Sequence, residues 1–387
     1  MHCRHIRAEE FIKAEQIMNI AFRFQWDKYP ENDSGTRHHN IYGAFEGDEM
    51  TSCIVANAFT CAYFGNDVGM LGVGGVATLP EYRRGGHIRH LLTHVLQESY
   101  RRGDVLSSLY PFSHPFYRKF GFENGQHMNK LFLDTEELRQ FPVTGRVRQF
   151  MPGNDDTVIK DIYNTFIHNR NFACRRGDWE WNALKKDPYL THVYTYLWYA
   201  DDGKAEAYFT VIHEEDSKNF ILRDWAFLSA RAVRGMFGFL GQLTPSGEKT
   251  EIWLPGDVNP FLLFNEPYAL RVEHTSRGMI RVVNVEKALE LHPFDDGAAF
   301  TLQVKDNQIT ENNGTFCVCR QDGKTTVCKT EEKPDAVFSI QAFSLLCCGA
   351  FTLEDILFNR TDCQVFAKQA VLSRAFPLNH HYLREDF

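Results

Sequence analysis

Residues 80–92, "PEYRRGGHIRHLL", place two arginines and two glycines directly before an amphipathic helix. From Gly86 onward Ile88, Leu91, Leu92, Val95 and Leu96 keep one face apolar, while Arg89, His90, Thr93, Gln97 and Glu98 keep the other wet. The first turn of a helix leaves backbone N–H groups unpaired and carries a partial positive charge. Gly85 and Gly86 remove the side chains that would block an approaching group, and Arg83 and Arg84 add charged donors beside it. A phosphate fits such a place. A solvated Arg-Gly turn capping an ordinary helix would use the same residues, so the flanking sequence has to decide.

Upstream, "CRHIRA" reads as a strand and residues 8–24 as a helix, with Phe11, Ala14, Ile17, Met18, Ala21 and Phe22 at helical spacing. "IYGAF" and "MTSCIVANAFTC" form a hairpin, and "MLGVGGVAT" is a strand whose glycines mark close approach by a backbone or ligand. Downstream come a strand in "DVLSSLYPF" and a short helix in "HPFYRKFGFE". No G-x-x-x-x-G-K-[ST] occurs, and no G-x-G-x-x-G opens a helix with an acidic residue about 20 positions on, so nucleotide hydrolysis and dinucleotide binding lose their sequence support.

At 387 residues the chain calls for two or three domains. It has no signal-peptide pattern and no apolar run near the roughly 18 residues of a membrane span, so a cytoplasmic protein is expected. Ten irregularly spaced cysteines read as free thiols in a reducing compartment. Cys317, Cys319 and Cys328 are expected as small buried thiols on two strands around an Asp322-Gly323 turn rather than as a metal knot. His87, His90 and His94 share a helix face, but Leu stands where H-E-x-x-H needs Glu, so they read as a wet or subunit-contact face and no metal is expected. The net charge of −8 leans away from nucleic acid and toward a cationic small partner.

On these residues the chain resembles the GNAT N-acetyltransferases, whose acetyl-CoA pyrophosphate loop follows [QR]-x-x-G-x-[GA]. Arg83 and Gly86 match the first and fourth places, and Ile88 departs from the sixth. "FYRKFGFE" is similar to the family's "Y-x-x-x-G-F" segment, and the addition of two further domains resembles the Eis (enhanced intracellular survival) branch, which commonly has a bulky sixth residue. The resemblance implies an α/β (α+β) fold: a GNAT catalytic domain over 1–125, a degenerate GNAT-like copy over 126–278 and a sterol-carrier-like domain over 279–387. It implies that Val76 and Thr78 pair with the pantetheine arm and that Arg83, Arg84, Gly85, Gly86 and His87 hold the pyrophosphate of acetyl-CoA. By the same resemblance Tyr117 is the general acid that protonates the departing thiolate, although an amphipathic core aromatic would also suit that Phe-rich stretch. The carboxylate of the final residue, Phe387, would return to the active site as general base, with Glu385 and Asp386 raising its pKa and drawing in an ammonium group. Trp26 and Asp27 would line the acceptor site, and the assembly would be a homo-oligomer, a hexamer.

The middle segment repeats the order hairpin, strand, helix, but Ser229 caps its helix and no glycine precedes it, so this copy is expected to bind no cofactor. The expected activity is direct transfer of acetyl to an amine of a cationic small molecule or a lysine side chain. The alternative is a non-catalytic CoA- or lipid-binding assembly protein on the same fold.

Overall fold

A computed structural model describes residues 1–23, 40–213, 217–243 and 248–385. The described residues form two compact units: those within 1–126 and 278–379 make the first, and those within 127–277 and 380–385 the second.

The first unit begins with β1 (His2–His5), α1 (Phe11–Phe22), β2 (Ile41–Glu46), β3 (Glu49–Tyr63) and β4 (Asn66–Thr78). Helix α1 is shorter than its apolar spacing suggests, because Arg23 turns left-handed and closes it. Strands β1 to β4 pair antiparallel in order, with a bulge where Cys53 and Val55 face β4. Helix α2 (His87–Arg102) then crosses to β5 (Leu106–Leu109), which runs parallel to β4. Leu91, Leu92, Val95 and Leu96 of α2 are buried against Ile54, Leu71, Val73 and Leu109 of the sheet. Each such side chain contributes about 1.5–3 kcal/mol of burial, so the patterned face fixes the helix on the sheet. After α3 (His114–Arg118) the chain enters β6 (Glu123–Asp134).

The second unit repeats this plan. The later residues of β6 are followed by β7 (Arg146–Gln149), α4 (Thr157–Ile167), β8 (Val193–Tyr199), β9 (Ala205–His213), β10 (Asn219–Phe227), α5 (Ala230–Gln242), β11 (Lys249–Leu254) and the start of β12 (Arg271–Val282). Strands β7 to β10 are antiparallel, α5 crosses, and β11 lies parallel to β10 and antiparallel to Asn129–Asp134 of β6. The single parallel pair after a crossing helix is the same topological event as β4–α2–β5. Two apolar cores form, one containing Ala232, Met236 and Phe237 of α5 and the other Ile159, Tyr163 and Phe166 of α4.

Back in the first unit, Met279–Val282 of β12 pair antiparallel with Leu106–Leu109 of β5. Then follow α6 (Val285–Leu291), β13 (Ala299–Lys305), β14 (Gly314–Gln321), β15 (Lys324–Thr330), β16 (Ala336–Ser339), α7 (Ile340–Cys347), α8 (Leu353–Asn359), β17 (Cys363–Val365) and α9 (Gln369–Ala375). Their five-stranded sheet has the order β15-β14-β13-β16-β17. The architecture is the α/β class expected, with a duplicated domain and a third mixed segment.

Candidate active site

The start of α2 is an uncapped helix end. Gly86 occupies the N-cap with φ +85°, a left-handed conformation open to glycine at little cost, and it offers no capping side chain. The N–H groups of Gly86, His87, Ile88 and Arg89 find no hydrogen-bond partner among the described residues. A Cβ on Gly86 would meet only the His90 ring, at 3.9 Å, so the approach is open. Arg83 and Arg84 are both exposed beside it. His87 differs from the wet face read in the sequence: it is buried, with Nδ1 2.8 Å from Thr51 Oγ1 and Nε2 3.4 Å from Glu46. What His87 can offer an anion is therefore its backbone N–H.

Strand β4 leads into this turn with one edge unpaired among the described residues. Its parallel partnership with β5 runs from Met70–Leu106 to Val73–Leu109 and stops, while β4 continues to Thr78. Val76 and Thr78 lie in that continuation, and the Thr78 hydroxyl accepts from Ser52 at 2.9 Å. An extended ligand can complete the ladder there, with its anionic end at the α2 terminus.

Tyr117 sits in α3, buried to 2% exposure among Phe112, Phe116 and Phe122. Val76 and Ile88 pack against the same apolar cluster, so strand, helix start and tyrosine are brought together. Burial pushes the Tyr117 phenol above its ordinary value near 10, so it carries its proton at neutral pH. Its hydroxyl donates to no described residue.

The turn after Tyr117 is held by groups that sequence reasoning missed. Gly121 has φ +82°, and a Cβ there would overlap the Arg281 guanidinium. Arg281, fully buried, donates to the Phe120 carbonyl and pairs with the equally buried Asp306. Glu123 accepts from Arg118 at 2.8 Å and from Arg360 at 2.7 Å. Gln126 is buried with both carboxamide atoms unpartnered among the described residues, and a Cβ on Gly278 would fall 2.7 Å from its Oε1 and 3.2 Å from the Leu109 carbonyl. A lone arginine inside the apolar run "GMIRVVNV" was the available signal for Arg281; Gln126 gave none.

Glu385 lies in the second unit, in a buried ion pair with Arg176 at 2.8 Å and within 3.4 Å of the Tyr163 hydroxyl. Tyr382 beside it is buried and donates to the Trp225 carbonyl. Trp26, Asp27, Asp386 and Phe387 lie outside the described residues. Among the described residues no group of three or more His, Cys, Asp or Glu is arranged to hold a metal ion, and no helix is long and apolar enough to cross a membrane.

An uncapped helix start, a half-open parallel strand pair and a buried protonated tyrosine thus lie together, and comparison with known proteins gives the fold its family. Residues 2–125 and 173–282 each match an Acetyltransferase (GNAT) domain model, and residues 285–383 match a Sterol carrier protein domain model. The chain belongs to the GNAT acetyltransferases. An uncharacterized N-acetyltransferase of Streptomyces griseus is 21% identical over 333 residues, 79% of each chain. A probable N-acyltransferase from Enterococcus faecalis superposes with a TM-score of 0.86 at 24% identity, covering 98% of this chain and 97% of that one. Eis1 from Mycobacterium abscessus superposes with a TM-score of 0.82 at 19% identity over the whole of both chains. Within the family this chain has the Eis-type build, two GNAT domains followed by a sterol carrier domain.

Proposed function

We propose that this enzyme moves the acetyl group of acetyl-CoA directly to an amine of a cationic small molecule or a lysine side chain. The observation that carries the proposal is the start of α2, where four consecutive N–H groups and two exposed arginines face an approach that no side chain covers. In this reading Arg83, Arg84 and the N–H groups of Gly86 and His87 hold the pyrophosphate, Gly85 keeps the turn narrow, and Val76 and Thr78 pair with the pantetheine arm. The amine nitrogen attacks the thioester carbon, a C–N bond forms as the C–S bond breaks, and Tyr117 gives its proton to the departing thiolate.

The acceptor side rests on Trp26, Asp27, Glu385 and Asp386, with the Phe387 carboxylate as base; the negative net charge supports a cationic acceptor. Because Glu385 pairs with Arg176, its proposed part is to shape the tail and add negative field rather than to bind the ammonium alone. Residues 1–125 are assigned to catalysis, 126–278 to a second copy without cofactor, and 279–387 to assembly and the tail. Ten free cysteines suit a cytoplasmic location, and a hexamer is the assembly to test by light scattering.

Calorimetric titration with CoA, followed by acetyl-CoA turnover against polyamines, aminoglycosides and lysine peptides, tests the reading. Binding with turnover of at least one amine is expected. Absence of CoA binding would overturn the phosphate assignment, and binding without any turnover would overturn the transfer assignment.

A further inference from the structure

The β14–β15 hairpin carries three thiols for which acetyl transfer has no use. Cys317 stands directly opposite Cys328 in the antiparallel register, and Cys319 follows two residues along β14. Alternation puts all three on one face, with Phe316 and Val318 buried on the other. Contrary to the buried thiols read from the sequence, Cys319 and Cys328 are exposed and Cys317 is half-buried, and all three are free. β15 is the edge strand of its sheet, and the buried layer lies on the face of the hairpin that carries Phe316 and Val318.

Register decides which thiols can meet. Asp322 and Gly323 have φ +52° and +73°, so they form a two-residue turn of the primed type that follows the strand twist. The closing pair Gln321–Lys324 of such a turn is a hydrogen-bonded pair, and alternation along the ladder makes Cys317–Cys328 another. That sets their Cα atoms about 5.5 Å apart, within the range of roughly 4.4–6.8 Å that a disulfide spans, while their Cβ atoms, at the far end of about 4.5–5.5 Å, must draw in by about 1 Å to form the bond. Cys319 and Cys328 are diagonal neighbours, about 7–8 Å apart, and pairs beyond about 7 Å need backbone movement. Cys317 and Cys319 stand parallel on one strand. The reachable pair is Cys317 with Cys328.

We propose that Cys317 and Cys328 form a dithiol modification site that low-molecular-weight disulfides convert to a cross-strand bond and trivalent arsenicals bridge. With a small disulfide RSSR, one cysteine thiolate attacks a sulfur, forms the mixed disulfide and releases RS⁻. The second thiolate then attacks the protein sulfur and releases the other RS⁻. The two cysteines are oxidised, RSSR is reduced, and their two protons leave with two RSH. With phenylarsine oxide both sulfurs bond to arsenic, and the oxygen departs with the two thiol protons as water, without electron transfer. Partial burial and the neighbouring Cys328 raise the Cys317 pKa, so exchange is followed over hours.

The test uses the full-length protein in the folded state. After incubation with oxidised glutathione and alkylation, tryptic mapping should show peptide 306–320 joined to peptide 325–329, with two fewer alkylations and no retained glutathione. Cys319→Ser should keep the link, and Cys317→Ser or Cys328→Ser should leave only a glutathione adduct. In the unmutated protein phenylarsine oxide should protect Cys317 and Cys328 together from alkylation, which keeps the test decisive if a variant fails to fold. Adducts on both cysteines without a link, a link through Cys319, no reaction, or failure of the arsenical to protect the pair would each overturn the assignment.

Discussion

Replacing Arg281 by methionine removes the cation that pairs with Asp306 in a fully buried site. Burial pushes the Asp306 carboxyl up, and Arg281, the Asn312 amide and the Gln308 N–H more than reverse this, so it stays ionised below its ordinary value. In the variant the carboxylate keeps Asn312 Nδ2 and the Gln308 N–H, each at 2.9 Å, and the Ile309 N–H at 3.3 Å. Breaking a buried pair from one side costs about 3–5 kcal/mol. Three remaining donors place this case toward the lower end of that range. Removing both charges in Arg281→Met/Asp306→Leu should recover none of the loss, because the three donors it frees cost about 1–3 kcal/mol each in the buried site. The same arginine anchors the Phe120 carbonyl beneath the Tyr117 turn, so kcat should fall in the single variant at temperatures where it remains folded. Urea unfolding of parent, single and double variants measures the first effect, and initial rates the second. A single variant within 1 kcal/mol of the parent, or a double variant more stable than the single, would refute the argument.

Three further outcomes are expected. Tyr117→Phe should lower kcat by roughly 10² or more with little change in the KM for acetyl-CoA; because burial raises the phenol pKa, the parent should show no loss of kcat from tyrosine ionisation near pH 10. Arg84→Ala should raise the KM for acetyl-CoA and spare that of the amine, as initial-rate analysis would show. His292 is buried and lowered to about 3 by desolvation, whereas the unfolded chain titrates near 6.5. The unfolded state thus takes the proton first, and this contribution to stability is whole above pH 6.5 and lost as pH falls toward 3. About 2 kcal/mol should disappear between pH 6.5 and 5, and His292→Gln should show a shallower loss in urea midpoints at the two pH values.

The strand, turn and helix of residues 70–102 were legible because their determinants are local: glycines where the backbone must open, a cationic approach and a 3.6-residue apolar period. The duplication was legible for the same reason, since hairpin, strand and crossing helix each carry their own pattern. What the sequence did not yield depends on contacts across long separations. Arg281 meets Asp306 and Phe120 through the pairing of β12 with β5, and Glu123 acquires Arg360 from the residue that follows α8. His87 was misread because helical periodicity gives a face and not its neighbour; Thr51, 36 residues earlier, draws the ring inward. The thiols of β14 and β15 were misread because alternation says which residues share a face, not which face the helices cover.

The two copies of the domain show why one helix start can serve an anion and the other is shaped against it. In the second copy Ser229 caps α5, accepting from the Ala232 N–H at 3.2 Å, and its own hydroxyl donates to Glu206 at 2.6 Å. Glu206 is further paired with Arg231. A carboxylate therefore already faces the positive end of α5, with its pKa brought down to about 2 chiefly by Arg231. A phosphate arriving there would meet like charge and a filled cap. At α2 glycine stands in place of the capping side chain, two exposed arginines precede it, and the first N–H groups find no partner among the described residues. The same topology supplies both helix ends, so what differs in their chemistry comes from a few side chains at the turn.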